Sequence, residues 1–332
     1  MLIFMHGIME RSGTNFFANL LALHPDCMSA PIIMEDYLLY YADLLVKYAK
    51  HVYQHYGRHD WEVEGKLGSE DILCKCLGDA LISFLRSQFS IQDSSRNEGS
   101  SHDSTRLSSQ ISTKRLITKT PSVVNLEYFF KLFPCSPLLI LVRDGRAVVE
   151  SGVRSSLWKH EPGMRNWAKA ARVIEQFEER YRTSEYKYLI VRYEDLCDHL
   201  EDEVRKVFDF LELDPSAYDF EKAGNLPVFG SSVFRGGSKD RVHWNPVVRT
   251  AEFKPLLRWA HWNRPKHERF NWVAGKYLTE FGYDKFEYTD RKFLWSMYNI
   301  LLDIVDIVPE GEGVHWRIVR AKDWLYRKVH LD

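Results

Sequence analysis

Short apolar runs alternate with longer amphipathic stretches along most of the chain. Continuous apolar runs are typical of buried strands, and they fall at residues 2–6, 115–118, 137–142 and 188–191. Apolar residues at helical spacing predict helices between and around these strands. The predicted helices cover residues 14–23, 37–53, 71–89, 122–133, 145–155, 164–181, 200–211, 257–262 and 270–281.

Strands separated by helices are typical of a parallel sheet with right-handed crossovers. We therefore predict an α/β domain over residues 1–288, with three layers and a central parallel sheet. Residues 94–112 are rich in serine and poor in apolar side chains, which predicts a disordered insertion loop. Residues 289–332 are predicted to form a C-terminal helical extension, apolar at first and then basic and amphipathic.

Charge and cysteine content narrow the functional classes. The formal net charge is -1, so no nucleic-acid partner is expected. Five scattered cysteines make a poor disulfide framework, and no apolar run is long enough to span a membrane. The expected location is the cytoplasm, and a Golgi-type location would require an N-terminal anchor that has been removed.

The first candidate site is the segment GIMERSGT at residues 7–14, which follows a predicted strand and opens a predicted helix. Free N–H groups and the helix dipole favour an anion there. The nucleotide P-loop, G-x-x-x-x-G-K-[ST], matches at its two ends, Gly7 and Thr14, but Gly13 stands in place of its lysine. Because that lysine reaches the β- and γ-phosphates, the sequence disfavours an ATP-dependent kinase.

The wording Arg11-Ser12-Gly13-Thr14 resembles the 5′-phosphosulfate loop of the sulfotransferase superfamily, and most of all the R-S-G-T-T of tyrosylprotein sulfotransferases. The resemblance implies a fold like that of P-loop nucleotide hydrolases. It also implies 3′-phosphoadenosine 5′-phosphosulfate (PAPS) as co-substrate, adenosine 3′,5′-bisphosphate (PAP) as product, and no metal. The 5′-phosphosulfate would be held by Arg11, Ser12, Gly13, Thr14 and Asn15. Asn15 replaces the usual second threonine and can still donate a hydrogen bond.

A second segment, LVRDGRAVVES at residues 141–151, is similar to the same family. By this resemblance Arg143 and Ser151 would bind the 3′-phosphate, and the planar guanidinium suits that role. Tyr193 would lie near the adenine, although a core tyrosine is an equally simple interpretation. Lys119, in K-T-P, would contact the bridging oxygen of the leaving group.

A third segment, Ser238-Lys239-Asp240-Arg241-Val242, resembles the S-x-D-Q-V of tyrosylprotein sulfotransferases. Ser238 would then approach the sulfuryl or bridging oxygen, and Lys239 would help to close over the nucleotide. A flexible cationic loop is the alternative interpretation.

Sulfuryl transfer is an in-line displacement at sulfur, and it needs a base for the acceptor hydroxyl. Arg11, Lys119 and Ser238 are the candidates for stabilising charge on the leaving group. Glu35 is our candidate for the general base, because the related family has a glutamate after the H-P-D that ends the first helix. Other groups remain open as the base: Asp36, His6, His24, His160 and His243.

The predicted function is therefore PAPS-dependent transfer of a sulfuryl group to a hydroxyl of a carbohydrate, a small molecule or a protein tyrosine. The first alternative is a P-loop nucleotide kinase or other phosphotransferase. The second is a catalytically silent nucleotide-binding scaffold. The predicted partners are a second copy of the chain and, through residues 289–332, a membrane surface.

Overall fold

The computed structural model describes residues 1–29, 35–57, 68–96, 114–231, 246–249, 253–288, 290–307 and 313–330. Contacts divide the chain into two compact units, Met1–Arg258 and Trp259–Asp332. The domain boundary expected after residue 288 stays a prediction.

A five-stranded parallel sheet lies at the centre of the first unit, in the order β2-β3-β1-β4-β5. Its strands are β1 (Leu2–Gly7), β2 (Cys27–Ser29), β3 (Arg115–Thr120), β4 (Leu138–Val142) and β5 (Tyr188–Arg192). The predicted α/β fold with a central parallel sheet is confirmed. Four of the strands were predicted, whereas the three-residue β2 was not.

Helices connect the strands and follow the last one. In the first unit these are α1 (Thr14–Leu21), α2 (Ala42–Gly57), α3 (Glu70–Arg96), α4 (Phe129–Leu132), α5 (Gly145–Arg154), α6 (His160–Tyr181), α7 (Tyr193–Asp198), α8 (Leu200–Leu211) and α9 (Phe220–Gly224). Short 3₁₀ turns cover Leu39–Tyr41, Leu126–Tyr128 and Pro215–Ala217. The second unit contains α10 (Arg264–Glu280), α11 (Lys292–Ile307) and α12 (Gly313–His330).

Three of the sequence predictions differ from this structure. Helix α3 continues to Arg96, so residues 94–96 are helical, and the rest of the expected serine-rich loop lies outside the described residues. The helix predicted at residues 122–133 is reduced to a 3₁₀ turn and one α-helical turn. The helix predicted at residues 257–262 is absent, because residues 258–261 form a turn.

The strands carry apolar side chains on both faces, as expected for a parallel sheet covered on both sides. On one face, Ile3 and Met5 of β1 join a buried cluster that includes Phe17 of α1 and Phe208 of α8. On the other face, the ring of Phe4 contacts aromatic rings that follow β3, with centroid distances of 5.2 and 4.5 Å to Phe129 and Phe133. This alternation holds helices on both sides of the sheet and fixes its carboxyl edge.

Candidate active site

The first side of the site is the loop between β1 and α1. Gly13 precedes α1 with a φ of 103°, a backbone conformation that glycine adopts most easily. A Cβ on Gly13 would lie 2.4 Å from the ring of Tyr193. The position where a nucleotide P-loop has lysine therefore has no room for a side chain unless Tyr193 moves.

Arg11 holds an unusual backbone conformation in this loop, with a φ of 70°. A residue with a Cβ pays roughly 1–2 kcal/mol for the left-handed region, so other contacts must hold it there. The Arg11 carbonyl accepts a hydrogen bond from the Arg143 guanidinium at 2.7 Å. The Arg11 side chain donates to the Gly230 carbonyl at 2.7 Å.

Arg143 follows β4 and is buried at the carboxyl edge of the sheet. Its guanidinium lies 4.3 Å from the centroid of the Tyr193 ring and also donates to the Pro255 carbonyl. Its own carbonyl accepts from the indole N–H of Trp167 at 3.2 Å. The arginine predicted for a 3′-phosphate is therefore held by contacts on several sides.

Two arginines, Arg11 and Arg258, donate hydrogen bonds to the hydroxyl of Ser151 on α5. The Arg11 Nε donates to Ser151 Oγ at 3.1 Å, and an Arg258 terminal nitrogen donates to the same atom at 3.3 Å. Burial, together with the nearby charge of Arg143, lowers the pKa of Arg11 to about 10 and that of Arg258 to about 9. Like charges crowded into a buried place are the arrangement expected of a site for a multiply charged anion.

These groups line one cavity of about 380 Å³. One wall is the segment 226–231, which an antiparallel backbone bridge between Val228 and Val247 holds at 2.8 and 3.1 Å. Aromatic and aliphatic side chains face the cavity beside the arginines: Phe16, Leu226, Val228, Phe229 and Phe253. The cavity thus combines a cationic region with an apolar one, as a nucleotide requires.

Lys119 and Glu35 form an ion pair beside the cavity. The Lys119 side chain is buried near the end of β3, and its Nζ lies 3.8 Å from Glu35 Oε1. Burial lowers the pKa of Lys119, against the opposing charges of Glu35 and Asp36. Glu35 also lines the cavity, and its Oε2 accepts a hydrogen bond from the Tyr37 hydroxyl at 2.6 Å.

The other candidate bases have structural partners. Asp36 accepts hydrogen bonds from the hydroxyls of Thr118 and Thr120 and from the Leu38 N–H. The last of these bonds is local, and the 3₁₀ turn that follows has no side-chain cap. Asp36 is absent from the cavity wall.

Three histidines that remained open as the base also have structural contacts. The His24 ring bonds the Asp214 carbonyl at 3.0 Å, and His6 donates to the Ser122 carbonyl at 2.8 Å. His160 lies 3.2 Å from Glu150. None of the three lines the cavity among the described residues.

A comparison with known protein families identifies the family of this chain. A model described as "Sulfotransferase family" matches residues 3–217, which is more than half of the chain. The chain belongs to the sulfotransferase family. No curated protein matches it.

Three solved structures are similar to this sulfotransferase. The sulfotransferase domain from the Synechococcus PCC 7002 olefin synthase is 23% identical, with 72% of this chain and 81% of that chain covered and a TM-score of 0.42. The sulfotransferase domain from the curacin biosynthetic pathway is 19% identical, with 85% of this chain and 98% of that chain covered and a TM-score of 0.49. The sulfotransferase STF9 from Mycobacterium avium is 15% identical, with 85% of this chain and 77% of that chain covered and a TM-score of 0.38.

The structure brings most of the predicted site residues of this sulfotransferase to one cavity. Its wall includes Arg11, Gly13, Thr14, Asn15, Glu35, Arg143, Ser151 and Tyr193. Ser12 is buried in the loop whose neighbouring residues line the cavity, and Lys119 is buried in β3, two residues before the lining residue Pro121. Ser238, Lys239 and His243 lie outside the described residues.

Sequence reasoning missed Arg258, which donates to Ser151 from a segment predicted to be helical. The missed arginine lies 107 residues from Ser151 along the chain, so no local spacing connects them. It also missed Glu10, which lines the same cavity.

Two further features are absent from the described residues. No group of three or more histidine, cysteine, aspartate or glutamate side chains there is placed to hold a metal ion. No helix in the described ranges has the length and apolar character needed to cross a membrane.

Proposed function

We propose that this sulfotransferase uses PAPS as its donor and transfers the sulfuryl group to an acceptor hydroxyl. The observation that carries the proposal is that Arg11 and Arg258 both donate to Ser151, with the charge of Arg143 close to both of them. A kinase for ATP has no use for a second phosphate seat at this position, whereas PAPS carries a 3′-phosphate besides its 5′-phosphosulfate.

Orphaned polar atoms and close backbone approaches support the fit. Ser12 Oγ, Asn15 Oδ1 and Arg143 Nε are buried without a hydrogen-bond partner in the described part of the chain. Such atoms are costly unless something satisfies them. A Cβ on Gly7 would lie 2.3 Å from Ser12 Oγ, so a side chain at position 7 would displace this hydroxyl from its place in the loop. We assign the 5′-phosphosulfate to residues 11–15 and the 3′-phosphate to Arg143, Ser151 and Arg258.

The chain's own residues divide the chemistry between them. When bound, PAPS supplies the sulfuryl group, whose bond to the 5′-phosphate oxygen breaks as the bond to the acceptor oxygen forms. Glu35 takes the proton of the acceptor hydroxyl, and Tyr37 orients its carboxylate. Lys119 and Arg11 stabilise the charge that develops on the 5′-phosphate oxygen. Ser238 and Lys239 keep their proposed roles near the sulfuryl group and the nucleotide.

Transfer of labelled sulfate from PAPS to a panel of glycans, phenols and peptides tests this function. Wild type should label at least one acceptor class. Glu35→Gln should lower turnover by about a hundredfold or more while leaving PAP affinity intact, whereas Ser151→Ala should weaken PAP binding. Near-normal turnover of Glu35→Gln would reject Glu35 as the base.

Binding measurements separate the alternatives. Calorimetry without Mg²⁺ should show tight binding of PAP and weak binding of ATP, and the reverse preference would favour the kinase. Binding of PAP with no transfer to any acceptor of the panel would favour the silent scaffold.

We also propose a cytoplasmic location. All five cysteines are free thiols, which suits a reducing compartment. Fractionation of cells that make the native protein tests this directly, and recovery from an extracytoplasmic fraction would contradict it.

A further inference from the structure

Two glutamates supply the carboxylates that line the cavity in the described part of the chain, Glu10 and Glu35. Glu10 immediately precedes Arg11, and neither the spacing nor the family resemblance gave it a role. Its side chain is exposed, so a molecule in the cavity can reach it. Solvent reaches this carboxyl, but neighbouring protein atoms partly desolvate it, and this desolvation, followed by the charge of Glu35, raises the pKa of Glu10. The two carboxylates therefore lie within electrostatic range of each other.

The number of positive charges that line the cavity equals the number of negative charges on the proposed donor. Four arginines of the described residues line the cavity, Arg11, Arg143, Arg249 and Arg258, and PAPS carries about four negative charges, counting up to two on its 3′-phosphate. Lys119 is the neighbour of Glu35, at 3.8 Å. In the described ranges no cation pairs with Glu10. With donor bound, the charge that the described residues present to an acceptor near Glu10 is therefore negative.

We propose that Glu10 is a specificity-determining residue, which makes this site disfavour anionic acceptors and favour cationic ones over neutral ones. The inference rests on the proposed function, because it needs the donor to occupy the arginines. An anionic group beside two carboxylates is repelled, and an ammonium group there gains a counter-ion. A hydroxyl-rich neutral acceptor falls between them, because carboxylates accept hydrogen bonds from its hydroxyls.

Three matched probes test the proposal: the p-nitrophenyl β-D-glucosaminide, glucoside and glucuronide, which share one shape and differ in charge. Their affinities for the protein saturated with PAP are measured by saturation-transfer NMR. The glucosaminide should bind tightest and the glucuronide about tenfold weaker than it, equivalent to roughly 1.4 kcal/mol. Glu10→Gln should shrink this ratio to about threefold or less.

A matched control is Glu201→Gln, which changes the net charge equally on the exposed surface of α8, where Glu201 pairs with Arg205. It should leave the ratio unchanged. Equal affinities of the three probes, no binding by any of them, or an unchanged ratio in Glu10→Gln overturns the inference. Failure of PAP itself to bind would instead refute the proposed function, so the two failures are distinguishable.

Discussion

At the residue scale, the site contains a neutral serine hydroxyl, Ser151, which cannot balance the positive charge of the arginines that contact it. Ser151 is buried and accepts hydrogen bonds from Arg11 and Arg258, and burial together with the Arg143 charge lowers the pKa values of both arginines. Burying like charges together costs free energy in the unliganded protein. A phosphate placed among them removes that cost and gains charge-assisted hydrogen bonds.

Substitution of Arg258 tests this arrangement, because no sequence pattern predicted a role for this residue. We predict that Arg258→Gln weakens PAP binding by about tenfold to a hundredfold, as expected for losing a hydrogen bond to a charged group. The affinity for 5′-AMP, which lacks the 3′-phosphate, should change much less. Calorimetric titration measures both.

The control for this substitution is Arg205→Gln, which removes an exposed arginine from α8. It should leave both affinities at the wild-type values. An equal loss of PAP and 5′-AMP affinity in Arg258→Gln would mean that Arg258 supports the fold or the 5′-end, and not the 3′-phosphate.

Lys119 gives the site a defined pH dependence. Burial lowers its pKa below the ordinary value of 10.5, so the ammonium is lost earlier as the pH rises. If the charged form stabilises the leaving oxygen as proposed, single-turnover rates should fall on the alkaline side at a pH below that value. Lys119→Arg keeps its charge and should move this alkaline limb to higher pH, even if its rate is lower.

The measurement for Lys119 is the rate of labelled-sulfate transfer from pH 7 to 10.5, for wild type and Lys119→Arg. Identical alkaline limbs in the two proteins would show that another group controls the decline.

The residues that sequence patterns could predict are those whose role follows from a local context. Arg143 comes directly after a buried strand and Ser151 lies in the helix that follows, so the resemblance of this one segment to the sulfotransferase family was enough to predict both. Arg258 and Glu10 could not be predicted in this way. Their roles depend on which distant segments meet at the cavity, and periodicity carries no information on that.

At the element scale, the predictions succeeded where an apolar face spans several turns or a whole strand. Helix α8 has the predicted bounds, Leu200–Leu211, and its core face includes Val204, Val207 and Phe208. They failed where tertiary contacts decide. Strand β2 has three residues and is stabilised by pairing with β3, and residues 122–133 are bent by a left-handed Asn125 with a φ of 63°.

A close approach between two helices makes a prediction at this scale. A Cβ on Gly78 of α3 would lie 1.8 Å from the backbone oxygen of Leu132 in α4. Although alanine has the higher helix propensity, Gly78→Ala should lower the free energy of unfolding by about 1–3 kcal/mol, because backbone must shift. Urea unfolding followed by circular dichroism measures this.

Gly224→Ala is the matched helical control, because a Cβ there meets nothing within 4 Å. It should be neutral or stabilise the protein by up to about 1 kcal/mol. Equal effects of the two substitutions would contradict the close packing of α3 on α4.

At the scale of the whole molecule, the cavity needs more of the chain than the family match covers. That match ends at residue 217, yet the wall includes Val228, Gly230, Pro255 and Arg258. The most family-like motifs therefore supply one part of the cavity, and later segments supply another wall and Arg258. Association with a second copy and contact of residues 289–332 with a membrane surface stay predictions.

The orientation of the donor is the central claim, and the crystal structure of the protein with PAP tests it most directly. We predict the 3′-phosphate within hydrogen-bond distance of Arg143, Ser151 and Arg258, and the 5′-phosphate at the backbone N–H groups of residues 12–15. A PAP molecule with its two phosphates exchanged, or bound outside this cavity, would contradict the account.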